Sequence, residues 1–301
     1  MVNPIQFAVN YSREAAWLYR AGQIPLDRFK CPAWPDLISS AQEDGAVYVH
    51  FPLLVGTGQG HPINTETQGP PDWGIIEALM AETATPWVNV HLGPRPEDHP
   101  ELAGYDRHTQ VARITDALIR DLEPLVARFG EHRVVGENIF EYFGGHLRPA
   151  VFPEVLGRVL EETGCGLLLD LSHARLAAHD LGLDPYAYVS SLPTDRIREI
   201  HVTGIQRFGP QWVARLQDAQ VSVASVTRVA GQWIDHLPMT PQDWRFFAWA
   251  MERIRRGQWR LPEIVAFEYG GVGKIFGALT IPEVLAYQVP RLYTMVHQGG
   301  F

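Results

Sequence analysis

Thr163–Gly204 reads TGCGLLLDLSHARLAAHDLGLDPYAYVSSLPTDRIREIHVTG, and the fold is decided there. It holds two short apolar runs, Gly166–Asp170 and Ile197–His201, separated by a longer stretch of helical character. Each run ends in a side chain that can hold a metal ion or move a proton: Asp170, with His173 three residues on, and His201. Working outward, the same alternation fills the chain. Further apolar runs are Ile5–Asn10, Val47–Phe51, Trp87–His91, Val134–Glu137, Trp233–His236 and Ile264–Glu268, which makes eight in all. Between them lie amphipathic stretches, including Arg13–Ala21, Gly74–Glu82, Thr109–Arg128, Pro153–Glu162, Pro241–Arg256 and Pro282–Val296. In Thr109–Arg128, Val111, Ile114, Leu118 and Leu122 recur at steps of three or four, the spacing of one helix face. Pro153, Pro241 and Pro282 stand where a first helical turn tolerates proline.

Parallel neighbours in a sheet need crossover helices, so this alternation predicts an α/β fold with a parallel sheet. Eight repeats close naturally into a (β/α)8 TIM barrel, expected here as a single domain over residues 1–301. An open doubly wound sheet is the competing layout. No Gly-, Ser- or Pro-rich linker splits the chain, and there is no internal repeat. The segment VSVASV, Val221–Val226, also reads as a strand of its own. Gly56–Asp72 is a long loop after a strand, expected over the active face.

Composition narrows the function classes. The chain has 301 residues, 46% hydrophobic and 20% charged, an ordinary globular balance. With 25 Lys plus Arg against 34 Asp plus Glu, the formal charge is −9, which disfavours duplex nucleic acid as partner. Two cysteines, Cys31 and Cys165, supply neither a disulfide framework nor a Cys-rich zinc module. The start of the chain lacks a signal-peptide layout, and no apolar run approaches the ~20 residues of a membrane span. A soluble cytoplasmic protein without nucleic-acid or membrane partners is expected.

Twelve histidines are present, and their positions carry the argument. The runs end at His50, His91, Glu137, Asp170 (then His173), His201, the pair Asp235–His236, and Glu268. Only the first of the eight lacks such an ending. Barrel strands bring their ends to one mouth, where catalytic groups of this fold reside. Carboxylates crowded there repel and take up protons unless a cation compensates. Imidazole and carboxylate together suit zinc, iron or manganese. Two or three divalent ions, with Glu137 or another carboxylate bridging, satisfy the whole set. Simpler readings stand beside this one. Asp170 serves equally as a helix cap, Glu268 before Gly270–Gly271 as a loop acid, and any single histidine as a core residue. His99, His108, His132, His146, His179 and His297 read as surface or loop residues, and His61 reaches the site only if its loop folds over it. Cys165 reads as a small core residue. Gly270–Lys274, GGVGK, lacks the P-loop spacing, though its backbone N–H groups and Lys274 could meet an anion. Trp34, Trp73 and Trp244 read as pocket-lining or packing residues.

In this layout the chain resembles the xylose-isomerase-like TIM-barrel superfamily, which includes endonuclease IV. The resemblance implies that His50, His91, Glu137, Asp170, His173, His201, His236 and Glu268 bind metal. Mononuclear sugar isomerases and epimerases keep only Glu137, Asp170, His201 and Glu268 of these, so His50 and His91 favour the multinuclear branch. Within Thr163–Gly204 the chain is more closely similar to the multinuclear non-haem iron oxidative enzymes, a family that includes peptide-modifying oxidases. It departs from that family in having DLSH where an Asn-rich segment is usual. It also has adjacent Asp235 and His236 where Asp-x-His-Gly is usual, so the alternation of a strand would aim only His236 at the metals.

Three readings follow. The favoured one is an oxidative enzyme with two or three ions, iron before zinc or manganese, acting with dioxygen on a small molecule or peptide. Glu137 and Glu268 are its expected catalytic carboxylates, and a partner protein would deliver a peptide. The second is redox-free isomerase, epimerase or phosphoester hydrolase chemistry, with the same two glutamates as ligand and acid/base. The third is a metal-binding barrel without turnover.

Overall fold

The computed structural model describes residues 5–297. Its strands are β1 (Gln6–Asn10), β2 (Arg28–Pro32), β3 (Val47–His50), β4 (Leu53–Val55), β5 (Ile63–Asn64), β6 (Val88–Leu92), β7 (Val134–Glu137), β8 (Gly166–Asp170), β9 (Ile197–Val202), β10 (Gly204–Arg207), β11 (Trp233–Leu237) and β12 (Ile264–Phe267). The chain divides into two compact units. One runs up to Val47 and resumes at Ile200; the other is Tyr48–Glu199.

In the Tyr48–Glu199 unit, β8, β7, β6 and β4 pair in parallel, and β5 closes the edge antiparallel to β4. Strands buried on both faces read as continuous apolar runs rather than alternating ones. Leu167, Leu168 and Leu169 are all fully buried, as are Val134 and Val135. The helix Arg107–Phe129 buries Ile114, Leu118 and Leu122 of the face predicted by spacing, and Leu125 beyond it, while Val111 is half-buried. Its N-terminus is capped by Asp106, whose carboxylate accepts from Thr109 N at 2.9 Å. Another carboxylate of this helix, the buried Asp121, organises the start of the loop Gly56–Asp72. It accepts from Gly56 N, Thr57 Oγ1, Gly58 N and Gly60 N at 2.7–3.0 Å.

In the other unit, β1 pairs in parallel with β2 on one side and β12 on the other. The helix Pro282–His297 buries Leu285, Val289 and Leu292. A second cluster, Phe208, Trp212, Leu216, Val226, Leu237 and Leu279, packs beneath the antiparallel pair β10–β11.

Seven expected runs match strands within a residue at each end: Ile5–Asn10, Val47–Phe51, Trp87–His91, Val134–Glu137, Gly166–Asp170, Ile197–His201 and Ile264–Glu268. The run Trp233–His236 differs: it pairs antiparallel with β10 in a separate two-stranded sheet. Gly204 permits this pairing, because a Cβ there would lie 2.0 Å from the Pro238 carbonyl oxygen. The strands not anticipated are β2, β4, β5 and β10; in β2, RFKCP, Arg28, Lys30 and Pro32 interrupt the apolar pattern. VSVASV is not a strand: Val223–Val229 is helical, with Ser222 as its cap and Val226 buried. Among the described residues no helix is long and apolar enough to cross a membrane.

Candidate metal centre

In the Tyr48–Glu199 unit, strand register sets the geometry. His91 on β6 lies opposite Glu137 on β7, and Leu54 on β4 lies opposite His91. Glu137 is buried, and imidazoles surround its carboxylate. His50 Nε2 stands 2.9 Å and His91 Nε2 3.4 Å from Glu137 Oε2, with His173 Nδ1 3.5 Å from Oε1. The His50 and His91 rings are 5.3 Å apart. Ligand atoms of His50, His91 and Glu137 all lie within 4.8 Å of one another, close enough to share one cation.

Asp170, fully buried, is the N-cap of the helix Leu171–Leu181. Its Oδ1 accepts from Ser172 N and His173 N, both at 2.7 Å. The helix-cap reading is therefore correct, and it does not compete with the metal reading, because Oδ2 faces His173 at 3.8 Å. Asn138, which the sequence reading gave no role, fastens β7 to β8: its amide donates to Asp170 O at 3.0 Å and its carbonyl accepts from Asp170 N at 2.9 Å.

In the other unit, Glu268 is the centre. His201 Nδ1 lies 3.1 Å from Glu268 Oε1, and the Lys30 ammonium pairs with the same oxygen. Both His201 and Glu268 are buried, and so is Lys30. Burial alone would raise the Glu268 pKa, but the charges of His201 and Lys30 prevail and hold it well below the usual carboxylate value. Asp235 and His236 do not alternate as strand neighbours. Gly204 pairs with Leu237 and Gln206 with Ile234, so Asp235 and His236 both face the single residue Ile205 in a β-bulge. His236 has φ 57°, and this left-handed turn brings its Nε2 to 3.8 Å from Asp235 Oδ2. The objection that adjacent residues must diverge therefore fails here.

The tautomers favour metal binding. Nδ1 of His91 contacts Leu53 O at 3.2 Å, that of His173 contacts Asn138 O at 3.0 Å, and that of His236 contacts Glu268 O at 2.7 Å. A carbonyl only accepts, so each Nδ1 carries a proton, and the neutral ring then has its lone pair on Nε2. Metal-ligating imidazoles characteristically show this outer hydrogen bond. The donor set, imidazole and carboxylate with Nε2 lone pairs presented, fits divalent iron, zinc or manganese.

Two of the histidines expected at the surface or in loops lie in loops that turn them inward. His99 is buried, its Nε2 2.6 Å from Gly56 O. His146 lies against Gly93, where a Cβ would come within 2.9 Å of its Cε1. Burial, then the nearby His91, push its pKa down to about 4. Its Nδ1 is buried without a hydrogen-bond partner among the described residues. His61 contacts the Pro62 carbonyl oxygen and joins none of the ligand groups. His132 and His179 have largely exposed side chains, while His297 pairs with Asp27 at 3.0 Å. In GGVGK the glycines serve the turn itself: Gly271 N donates to Thr280 Oγ1. Cys31 and Cys165 are buried thiols.

A family profile described as RiPP precursor modification enzyme MbnB/TglH/ChrH matches residues 110–260. A UPF0276 protein of Acaryochloris marina is 35% identical over 162 residues, 51% of this chain and 54% of that protein. A UPF0276 protein of Caulobacter vibrioides is 33% identical over 150 residues, 44% of this chain and 49% of its own length. The matched segments thus span about half of these relatives. Among solved structures, a xylose isomerase domain containing protein of Salmonella typhimurium superposes with TM-score 0.51 at 14% identity, covering 98% of this chain and 99% of its own. A D-psicose 3-epimerase gives TM-score 0.51 at 10% identity, covering 98% and 100%. Both likenesses concern the fold, which is that of the xylose isomerase-like TIM barrels.

Proposed function

The chain belongs to the RiPP precursor modification enzyme family MbnB/TglH/ChrH, and on that premise we propose that it is a multinuclear iron enzyme that oxidatively modifies a peptide. The observation that carries this reading is the convergence of His50 and His91 on Glu137, with the His91 Nδ1 proton already committed to a backbone carbonyl. In this proposal the ligands to two or three ions are His50, His91, Glu137, Asp170, His173, His201, Asp235, His236 and Glu268. Iron, when bound, would supply the redox chemistry.

The protein's own residues do the rest. Backbone carbonyls orient the rings of His91, His173 and His236 through Nδ1. Asn138 fixes the Asp170 backbone, and the first turn of Leu171–Leu181 aims its carboxylate. Glu137 and Glu268 are the catalytic carboxylates of this proposal; Glu268 is held in its charged form by His201 and Lys30, and the burial of both keeps bulk water from competing. Delivery of the peptide by a partner protein belongs to the same proposal.

The test is metal analysis of anaerobically purified protein followed by exposure to oxygen. Two or more iron equivalents and an oxygen-dependent absorption change are expected. A single ion, or zinc or manganese with epimerase or phosphoesterase turnover, would overturn the reading.

A further inference from the structure

Away from the candidate metal centre, the surface between the helices Pro241–Arg255 and Pro282–His297 forms a groove of about 420 Å³. Its floor is Met239 and Trp244, both buried. Tyr287 stands 68% exposed on one wall, and Met295 lies further along the same helix. Trp, Tyr, Met and Arg are the residue types enriched where proteins meet. Methionine adapts its shape to varied apolar partners.

The charges make the groove specific. Arg291 lies 4.2 Å above the Trp244 ring, and Arg245 lines the same cavity. Neither arginine has a carboxylate within 4.0 Å among the described residues. No acidic residue lines the groove. Glu252, one turn beyond Ala248, is held by Arg255 and Arg256. The neighbouring Asp243 is turned inward into the helix cap with Thr240. Two uncompensated guanidinium groups over an apolar floor are unusual on a chain whose formal charge is −9.

A second surface groove shows the contrast. Near Phe152 in the Tyr48–Glu199 unit, Arg107 and Arg148 also line a cavity. There Arg107 meets Glu154 at 3.8 Å and Arg148 meets Glu141 at 2.6 Å, so those cations are answered within the chain.

We propose that the Trp244–Arg291 groove is the docking site for an acidic segment of a second protein, one that places apolar side chains on Met239 and Trp244 and carboxylates on Arg245 and Arg291. The segment's apolar anchors would supply most of the affinity. Its carboxylates would supply register and a salt-sensitive on-rate. This surface is independent of the metal chemistry, so the proposal stands or falls apart from the functional reading above.

The test uses the full chain and a fluorescein-labelled helical peptide carrying Leu and Phe on one face and Glu on the other, read by fluorescence anisotropy. A matched peptide with Lys in place of Glu is the control. The acidic peptide should bind, the basic one should not, and added salt should weaken binding. R245E with R291E should weaken it roughly tenfold or more. Y287A, a truncation of an exposed ring, keeps the test valid if the double variant fails to fold, and should also weaken binding. Equal binding of both peptides, or no effect of either variant, would overturn the proposal. So would self-association of the chain that R291E dissolves, since the occupant would then be a second copy. Capture by phosphatidylserine vesicles without peptide binding would equally overturn it, by assigning the groove to a membrane surface.

Discussion

Glu137 and Glu268 end their respective runs alike, yet the chain surrounds them differently. Around Glu137 the near groups include three imidazoles, from His50, His91 and His173, and the Asp170 carboxylate. Around Glu268 an imidazole is joined by an ammonium, Lys30, buried beside it. An imidazole can be neutral and lend a lone pair, whereas a lysine at that distance can only donate. The first arrangement is one that could hold a cation. The second already contains one, so its carboxylate is kept ionised by the protein itself.

The comparison is broken most directly through metal content. Glu137→Gln should lower bound metal sharply, while Glu141→Gln, whose carboxylate instead meets Arg148 on an exposed loop, should leave it unchanged. His50→Ala should remove one equivalent and retain the others, measured by elemental analysis of purified protein. Equal metal in the Glu137 and Glu141 variants would remove the distinction between the two glutamate environments.

The next effect concerns Lys30. Removing one partner of a buried ion pair strands the other, at a typical cost of ~3–5 kcal/mol. Lys30→Met should therefore destabilise metal-free protein by about that much at neutral pH, read from denaturant unfolding. The folded Glu268 pKa lies below its ordinary value of 4.5. Its stabilisation is therefore full above that value and fades as pH falls toward the depressed one. Lys30→Met should flatten this acid limb. A variant as stable as the parent, with an unchanged limb, would mean that Lys30 is not what holds the Glu268 charge.

Lys30 also shows where sequence reading stops. Most ligand candidates were legible because they close apolar runs that buried parallel strands require, as in VVGE and LLLD. The strand β2 was not, because a lysine in mid-run reads as solvent-facing until its partner, 238 residues away, is known. Trp233–His236 was legible as a strand but not as an antiparallel one, since pairing direction is set by Gly204 and the bulge opposite Ile205. VSVASV alternates for its first residues, but Val223, Val226 and Val229 also keep a step of three, and the helix prevailed. Asn138 adjoined a quoted motif, yet its bond to Asp170 spans 32 residues and leaves no local pattern. His99 and His146 sit in polar loops that fold back on the unit, and nothing local distinguishes them from exposed histidines.

His146 supplies the smallest predicted effect and separates the two units by pH. Its folded pKa is about 4 against an ordinary 6.5, chiefly because burial disfavours the charged ring. Above 6.5 the imidazole is neutral in folded and unfolded chains alike. Between 6.5 and about 4 the unfolded chain binds a proton that the folded one refuses, so stability falls as pH falls. At ~1.4 kcal/mol per unit of displacement, the total is at most ~3.5 kcal/mol. His146→Gln, which stays polar but does not titrate, should make metal-free protein lose less stability than the parent between about pH 7 and about pH 5. The Lys30 variant should keep the parent's slope across that window, because the Glu268 contribution fades only below 4.5. Should both variants alter the same window, the two environments would titrate as one, and the contrast between an imidazole-lined carboxylate and an ammonium-paired one would lose its physical basis.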